Sequence, residues 1–181
     1  MIGKSISSTV VSSNCIIQVM CNLGQWKEAT RLLNEMVDRK IAPDVYTFSI
    51  LVDALCKEGM VREARGFIEF MIQRGEEPDV VTYNTVMDGY CLQGRMDDAL
   101  KVLDFMVVRN CAPNVVSYNI LINGYWLCLV GRLQNAQELP NEMQANGHLP
   151  DLISYSTLLD DFCKNQHLEE AIALFEEIKD R

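Results

Sequence analysis

Seven cysteines are the residues of this chain best suited to bind a metal, form disulfides or act as nucleophiles. They form no Cys-x-x-Cys pair, and the sequence has no His-x-x-x-His motif, although structural zinc sites normally require such spacings. Four of the cysteines recur at one position of an internal repeat: Cys21, Cys56, Cys91 and Cys163. Cysteines in neighbouring repeats would lie about 8–10 Å apart, which is too far for a disulfide. We therefore expect buried free thiols that pack as small hydrophobic side chains, with no metal and no cofactor.

The histidines and the paired acidic residues are the other candidates for catalysis. His148 and His167 lie at non-equivalent repeat positions, so they form no recurring site. The acidic pairs at 97–98 and 169–170 fall at the start of predicted helices, where carboxylates stabilise the positive end of the helix dipole. The glycines are isolated and periodic, so they form no phosphate-binding loop. The sequence therefore predicts that the protein is not an enzyme.

The positions that recur define a repeat of 35 residues. The recurring residues are Cys21, Cys56 and Cys91; Gly24, Gly59 and Gly94; Ala29, Ala64 and Ala99; and Pro43, Pro78 and Pro113. Repetition at a fixed period of this length is typical of repeat architectures. The predicted repeats span residues 10–44, 45–79, 80–114, 115–151 and, in part, 152–181, and they follow a non-repeat segment at 1–9.

Each repeat has the pattern of two amphipathic helices. In the third repeat, Tyr83, Met87 and Tyr90 follow the spacing of one helix face. Thr82 is the predicted N-cap of this helix, and Gly94 is placed where a helix ends in a left-handed residue. A second helical pattern follows, and the proline near the end of the repeat stops it. Such a hairpin cannot bury its own apolar face, so the sequence predicts an all-α solenoid of stacked helix-turn-helix repeats.

The fourth repeat departs from this pattern in two places. It carries two extra residues within 126–130, and it has Pro140 inside its second helix. A proline inside a helix costs about 3 kcal/mol and kinks the helix. We therefore expect this repeat to be the least regular.

Four short runs of the third repeat carry a family resemblance: VTYNT at 81–85, GYC at 89–91, GRMDDA at 94–99 and APN at 112–114. They are similar to the pentatricopeptide repeat (PPR) of plant organellar proteins, and more narrowly to the uniform P class with its fertility-restorer-like members. The resemblance covers residues 10–181. It implies a right-handed α-solenoid that binds single-stranded RNA, one base per repeat.

The resemblance also implies a cellular setting. Proteins of this family act in mitochondria or plastids, in RNA processing or stability, and recruit other processing proteins. Residues 1–9 have the character of neither a secretory signal nor a transit peptide. No apolar run approaches the roughly 18 residues that a membrane span needs, so we expect no membrane partner.

The family's RNA-reading positions can be carried over onto this chain residue by residue. In the family, the fifth and the last residue of each repeat read one base, and the second residue sandwiches that base. The base-reading residues are Asn14 with Asp44, Ser49 with Asp79, Asn84 with Asn114, Asn119 with Asp151, and Ser156; the sandwiching residues are Val11, Tyr46, Val81, Val116 and Ile153; and Lys57 and Lys164 match lysines that approach phosphate. By the family's recognition pattern, these pairs imply the target 5′-U-G-C-U-3′ followed by a purine, with the RNA running parallel to the chain.

Charge and residue type leave other functions open. The chain has 25 acidic and 16 basic residues and a net charge of −9, whereas nucleic-acid binders usually have a basic face. An acidic concave face would suit a tetratricopeptide-like scaffold that binds a basic or helical peptide. Serine and asparagine also cap helices well, so the fifth residues could be caps instead of readers. The last repeat leaves an apolar helix face uncapped, which makes dimerisation, or a fragment without binding activity, the remaining hypotheses.

Overall fold

The computed structural model describes residues 2–127, 133–164 and 167–180, which form ten helices and no strand. The helices are α1 (Ile2–Asn22), α2 (Trp26–Asp38), α3 (Val45–Lys57), α4 (Val61–Gln73), α5 (Val80–Leu92), α6 (Met96–Val108), α7 (Val115–Leu127), α8 (Leu133–Ala145), α9 (Leu152–Lys164) and α10 (Leu168–Asp180). Helices α3, α5, α7 and α9 begin at the first residues of the predicted second to fifth repeats. Helix α1 differs, because it begins at Ile2 and not at Val10, where the first repeat was predicted to start.

The helices group into two compact units, Met1–Gly89 and Tyr90–Arg181, and α5 contributes to both. In the first unit, α1 packs on α2 and α3, and α3 packs on α2 and α4. In the second unit, α7 packs on α6, α8 and α9, and α9 packs on α8 and α10. Within each unit, therefore, a hairpin packs on the next hairpin along the chain, as the prediction of stacked repeats requires.

A polar side chain at the end of one repeat caps the first helix of the next. Asp44 Oδ1 accepts the backbone N–H of Thr47 at 2.8 Å, and Thr47 Oγ1 accepts the Asp44 N–H at 3.2 Å, which completes a capping box on α3. Asp79 accepts the backbone N–H of Thr82 at 2.8 Å in the same way. The prediction that Thr82 caps α5 is therefore wrong: Thr82 is the third residue of the helix, and Asp79 is its cap.

Residues with left-handed backbone geometry end the helices. Gly24, Gly59 and Gly94 follow the first helices of their repeats with φ angles of 71°, 76° and 69°, which confirms the prediction for Gly94. Side chains are strained at such angles, so glycine is favoured there. Lys40 and Asn110 have a φ of 59° in the connections that follow α2 and α6. These turns reverse the chain and bring the next helix back onto the preceding hairpin.

The apolar core of the first unit lies among α1, α2, α3 and α4. Its buried residues are Ile17, Ala29, Leu33, Met36, Phe48, Ile50, Leu51 and Met71. The ring of Phe48 meets that of Phe70 edge to face, with the centroids 5.9 Å apart. Edge-to-face contact is a favoured geometry for aromatic pairs, and it adds to the stabilisation from burial.

Two glycines allow neighbouring hairpins to approach closely. A Cβ atom on Gly89 would lie 2.9 Å from Val61 Cγ2. In the second unit, a Cβ atom on Gly124 would lie 2.7 Å from Met96 Sδ and even closer to Cys91 Sγ. Both glycines are the tenth residue of the first helix of their repeats. Cβ atoms essentially never come within 3.0 Å of such neighbours, so the observed packing requires glycine at these positions.

The recurring cysteines are buried to different degrees. Cys91 is buried and Cys21 and Cys56 are half-buried, but Cys163 is exposed, so the prediction of a buried thiol is wrong there. Cys91 is covered by the hairpin that follows it, and the described residues contain no hairpin after that of Cys163. Burial, together with the nearby carboxylate of Asp53, raises the pKa of Cys21 to about 11 and helps to raise that of Cys56 to about 12. These two thiols therefore stay protonated near neutral pH.

The fourth repeat keeps its second helix despite the proline. Pro140 lies inside α8, and the helix continues to Ala145. The predicted effect of the two-residue insertion concerns residues 126–130, of which 128–130 lie outside the described residues. In the described part of the chain, no helix is both long and apolar enough to cross a membrane. The same residues contain no group of histidine, cysteine and acidic side chains that could hold a metal ion.

Candidate nucleic-acid interface

The second residue of each repeat is an apolar side chain that is more than half exposed to solvent. The exposed fractions are 58% for Val11, 61% for Tyr46, 62% for Val81, 54% for Val116 and 61% for Ile153. Two residues further along, Phe48, Tyr83 and Tyr118 lie in the core with at most 1% exposed. Helix geometry therefore directs the two positions to opposite environments. Apolar side chains exposed at one register of every repeat provide surfaces on which a flat apolar ligand can stack.

The fifth and the last residue of the first repeat meet beside a buried hydroxyl. Asn14 Nδ2 donates to Asp44 Oδ1 at 3.2 Å. Thr47 Oγ1 lies 2.7 Å from Asn14 Oδ1 and 2.8 Å from Asp44 Oδ1. Burial raises the pKa of the Asp44 carboxyl, but the hydrogen bonds from Thr47 and Asn14 outweigh this effect and hold the pKa below its usual value. Asp44 is therefore an exposed, ionised acceptor beside a buried amide.

The fourth repeat builds the same cluster in the second unit. Asn119 Nδ2 donates to Asp151 Oδ1 at 3.2 Å. Ser154 Oγ lies 2.6 Å from Asn119 Oδ1 and 3.0 Å from Asp151 Oδ1. The backbone N–H of Ser154 donates to the carboxylate at 2.9 Å, and this bond is the main reason why the pKa of Asp151 is lowered. The two Asn–Asp pairs thus share one geometry, although they lie in different units.

In the second repeat, a hydroxyl links the fifth residue to the last. Ser49 Oγ lies 2.9 Å from Thr82 Oγ1, and Thr82 Oγ1 donates to Asp79 Oδ1 at 2.8 Å. Ser49 Oγ also lies 2.9 Å from the Val45 carbonyl oxygen of its own helix, which is an alternative acceptor for its one hydroxyl proton. The order of fifth residue, hydroxyl and last residue is the same as in the two Asn–Asp repeats.

The remaining predicted base-reading residues, Asn84, Asn114 and Ser156, differ in burial and in hydrogen bonding. Asn84 belongs to the first unit and is buried, with 7% of its surface exposed. Asn114 belongs to the second unit, where its Oδ1 accepts the Ser117 N–H at 3.0 Å and caps α7. Ser156 is exposed, and its hydroxyl donates to the Ile153 carbonyl at 3.1 Å. Asn114 therefore takes the capping role of the aspartates with a neutral side chain.

The third residue of each repeat is a member of the site that the sequence analysis missed. Thr47, Thr82, Ser117 and Ser154 are at most 1% exposed, and each bonds to the last residue of the preceding repeat. The signal was available, because this position is serine or threonine in all five repeats, including Ser12. The alternative that the fifth residues cap the first helices is wrong. The last residue of the preceding repeat caps each of these helices, and the fifth residue lies within the helix.

Both lysines predicted to approach phosphate are paired with an aspartate one turn earlier in the helix. Lys57 Nζ lies 2.6 Å from Asp53 Oδ2, and Lys164 Nζ lies 2.6 Å from Asp160 Oδ2. Exposed pairs of this kind contribute about 0–1 kcal/mol, so an incoming phosphate could replace the carboxylate. The aspartates nevertheless cancel the positive charge that these lysines would offer.

Models of the PPR repeat family match residues 8–57, 51–91 and 78–126 of this chain. A second model, described as PPR repeat, matches residues 109–144 and 146–179. None of the curated proteins compared with this chain matches it in sequence.

Solved structures of PPR proteins are also similar to this chain. The crystal structure of the pentatricopeptide repeat protein PPR10 from maize is 28% identical, with a TM-score of 0.80, over 94% of this chain and 24% of that chain. PPR10 in complex with an 18-nt psaJ RNA element gives 28% identity and a TM-score of 0.77, over 91% of this chain and 24% of that one. This chain thus spans about a quarter of the length of the maize protein.

A more distant structure agrees in fold alone. The PPR domain of Arabidopsis thaliana protein-only RNase P 1, solved in complex with tRNA, is 16% identical with a TM-score of 0.70, over 91% of this chain and 86% of that domain. The family models cover most of the chain, and the maize PPR10 structure has a similar fold. The chain therefore belongs to the PPR family, and its fold class is the all-α solenoid of stacked helical hairpins that the sequence predicts.

Proposed function

We propose that this chain is a module that binds single-stranded RNA, one base per repeat. The observation that carries the proposal is the bonded pair of fifth and last residues beside an exposed apolar second residue, which the first and fourth repeats build alike. A splayed base needs a surface for stacking and polar groups at its edge, and these repeats have both. The maize protein PPR10, which is 28% identical, has been solved with an RNA element bound.

The Asn–Asp pairs have the hydrogen-bonding character that suits uracil. The bond between Asn14 and Asp44 uses one N–H of the amide and one carboxylate oxygen, so each group keeps a second site for a ligand. Uracil offers an acceptor at O4 next to a donor at N3, which complements an N–H beside a carboxylate oxygen. Cytosine carries a lone pair at N3 in place of the proton, and that lone pair would face the negative charge. The same argument applies to Asn119 with Asp151.

From these pairs we infer uracil at the first and fourth bases of the target. The proposed site is 5′-U-G-C-U-3′ followed by a purine, with guanine read by Ser49 and Asp79 and cytosine by Asn84 and Asn114. The assignments at the second, third and fifth bases come from the family's recognition pattern. The strand is proposed to run parallel to the chain.

The charge of the chain sets the expected strength of binding. The net charge is −9, and Lys57 and Lys164 are each paired with an aspartate. Base stacking contributes about 1–3 kcal/mol per base, less the cost of ordering the strand, so four complete repeats should bind with micromolar affinity or weaker. Few phosphate contacts also mean a shallow dependence of affinity on salt.

A titration tests the proposal directly. A labelled RNA that contains UGCU should bind more tightly than an RNA in which these four bases are scrambled. Val81→Asp should weaken binding strongly, because it places a charge where a base is sandwiched. Val108→Asp is the matched control, since Val108 is 77% exposed at the end of α6 and should not contact the RNA. Equal binding of both RNAs, or equal loss in both variants, would contradict the proposal.

We also propose that a second copy of the chain packs against α10. Leu168 and Phe175 on this helix are 64% and 60% exposed, whereas Leu33 and Ile68, which hold the repeat position of Phe175, are buried. Phe175→Glu should then abolish a dimer seen in sedimentation equilibrium. Leu149→Glu, at a residue that is 76% exposed outside the helices, should leave the dimer intact. A monomeric wild-type chain would contradict this part of the proposal.

The proposed setting is organellar RNA processing or stability, with recruited proteins carrying out any cleavage. A fluorescent fusion of the protein in plant cells should enter mitochondria or plastids. Exclusion of the full-length fusion from both organelles would contradict this setting.

A further inference from the structure

A buried hydroxyl lies between the two proposed base-reading residues of a repeat, and it belongs to the next repeat. Thr47 Oγ1 lies 2.7 Å from Asn14 Oδ1 and 2.8 Å from Asp44 Oδ1. Ser154 Oγ lies 2.6 Å from Asn119 Oδ1 and 3.0 Å from Asp151 Oδ1. Thr47 and Ser154 are fully buried, so neither can touch a bound base.

The hydroxyl has one proton for two oxygen acceptors, and the surrounding bonds decide where that proton goes. Asp44 Oδ1 already accepts the Thr47 N–H and an N–H of Asn14. Asn14 is buried, with 5% of its surface exposed, and its Oδ1 accepts the hydrogen bond from the Thr47 hydroxyl. The hydroxyl therefore donates to Asn14 Oδ1, because leaving this buried acceptor without a hydrogen bond would be costly in free energy.

This arrangement fixes which way the amide of Asn14 points. In the reverse orientation, the amide oxygen would lie against the Asp44 carboxylate, and two acceptors would face each other at 3.2 Å. The carboxylate and the hydroxyl therefore fix the orientation together: the nitrogen lies at Asp44 Oδ1 and the oxygen at Thr47 Oγ1, and loss of the hydroxyl removes the bond that anchors the oxygen. A reversed amide would offer a base an acceptor in place of an N–H, which favours the amino group of cytosine over O4 of uracil.

We propose that the hydroxyl at the third residue of a repeat is a positioning residue for base recognition by the repeat before it. It holds the amide of the fifth residue in the orientation that selects uracil over cytosine, without contact to the RNA. This inference rests on the proposed RNA-binding function. Selectivity at one base then depends on three side chains, one of which comes from the next repeat.

The second repeat provides an internal comparison. Its fifth residue is Ser49, whose hydroxyl can rotate and has the Val45 carbonyl as a further partner at 2.9 Å. A serine has no amide to reverse. Loss of the Thr82 hydroxyl should therefore change selectivity at the second base less than loss of the Thr47 hydroxyl changes it at the first.

The test compares Thr47→Val, which keeps the shape of the side chain and removes the hydroxyl, with Thr47→Ser, which keeps the hydroxyl. Dissociation constants are measured for RNAs that contain UGCU, CGCU and UGCC. Thr47→Val should lower the preference for U over C at the first base several-fold and leave the preference at the fourth base unchanged. Thr47→Ser should retain both preferences, and Ser154→Ala should show the mirrored effect at the fourth base.

A loss of affinity by Thr47→Val that is equal for all three RNAs would overturn the inference, because a merely structural hydroxyl acts in that way. Failure of the wild-type chain to distinguish the RNAs would instead contradict the proposed function. A second readout needs no RNA: the side-chain NH₂ resonances of Asn14 in an NMR spectrum. They should be distinct and protected from exchange in the wild type and in Thr47→Ser, and lose that protection in Thr47→Val. Unchanged protection in Thr47→Val would overturn the inference as well.

Discussion

Asn14 Nδ2 donates to Asp44 Oδ1 across 3.2 Å, and the same oxygen accepts the backbone N–H of Thr47 in the next helix. One carboxylate therefore caps α3 and sets the polar edge of the proposed base site. Aspartate and asparagine both suit the capping role, but only asparagine can also donate. The last residue of a repeat can thus vary between these two types without loss of the helix start.

Acid should weaken the first and fourth repeats through their caps. The pKa values of Asp44 and Asp151 are lowered in the folded chain, so they add stability above the unfolded pKa of about 3.9. That stability is lost as the pH falls through the lower, folded pKa. Asp44→Asn keeps a cap but does not titrate, so its free energy of unfolding should fall less than that of the wild type between about pH 5 and pH 2. Urea unfolding at several pH values measures this difference, with Asp104→Asn, at an exposed residue of α6, as the control.

If acid lowers the free energy of unfolding equally in Asp44→Asn and the wild type, protonation of Asp44 does not cause the loss of stability. Asp104→Asn removes the same charge at a residue outside the caps, so it measures the effect of the charge alone.

Two glycines in helices should respond in opposite ways to alanine. Gly124→Ala would place a Cβ atom 2.7 Å from Met96 Sδ, and overpacking of this kind costs about 1–3 kcal/mol. Gly66→Ala meets no atom within 4 Å and should stabilise α4 by about 0.5–1 kcal/mol, because alanine is the better helix former. Thermal unfolding of both variants measures the contrast. A Gly124→Ala variant as stable as the wild type would contradict the close approach of α7 to Met96.

Removal of one aspartate should strengthen RNA binding. Asp53→Asn frees Lys57, which is held at 2.6 Å, and removes a negative charge beside the proposed phosphate path. Affinity for RNA should rise. The slope of log Kd against log salt concentration should increase by about 1, as expected for one additional phosphate contact. Asp104→Asn makes the same change of charge on a second helix and serves as control. An equal gain in both variants would show that net charge, and not the release of Lys57, sets the affinity.

The period in the sequence is sufficient to predict the hairpins, because α3, α5, α7 and α9 begin where the repeats were predicted to begin. The spacing of Asp53 and Lys57 could also have predicted their ion pair, since residues four apart meet on one helix face. The cap was assigned wrongly, because Asp79 and Thr82 are both good capping residues by type. Only the backbone geometry decides between them.

The recurrence of serine or threonine at the third position is visible in the sequence, but the role of the buried hydroxyl is not. Thr47 and Asn14 are separated by 33 residues in the chain, and their contact arises only when one hairpin packs on the next. A recurring serine or threonine is also what surface and capping positions show. The exposure of Cys163 was missed for a related reason: repeat position predicts burial only where a following hairpin covers it.

The central claim, that each repeat reads one base through its fifth and last residues, is tested most directly at the third repeat. Its last residue is Asn114, where the other complete repeats have aspartate. Asn114→Asp keeps a capping oxygen for the Ser117 N–H but exchanges a donor for a negative charge. The proton at N3 of uracil suits that charge, and the lone pair of cytosine does not.

The measurement is the ratio of the dissociation constants for UGCU and UGUU RNA with each protein. A good contact is worth about 1–3 kcal/mol of discrimination in the comparable DNA case, so the ratio should shift several-fold or more towards U at the third base. Asn110→Asp, at the exposed left-handed residue four positions earlier, makes the same change of charge and should leave the ratio unchanged. A ratio that stays fixed in Asn114→Asp while both RNAs bind would show that Asn114 caps α7 and reads no base.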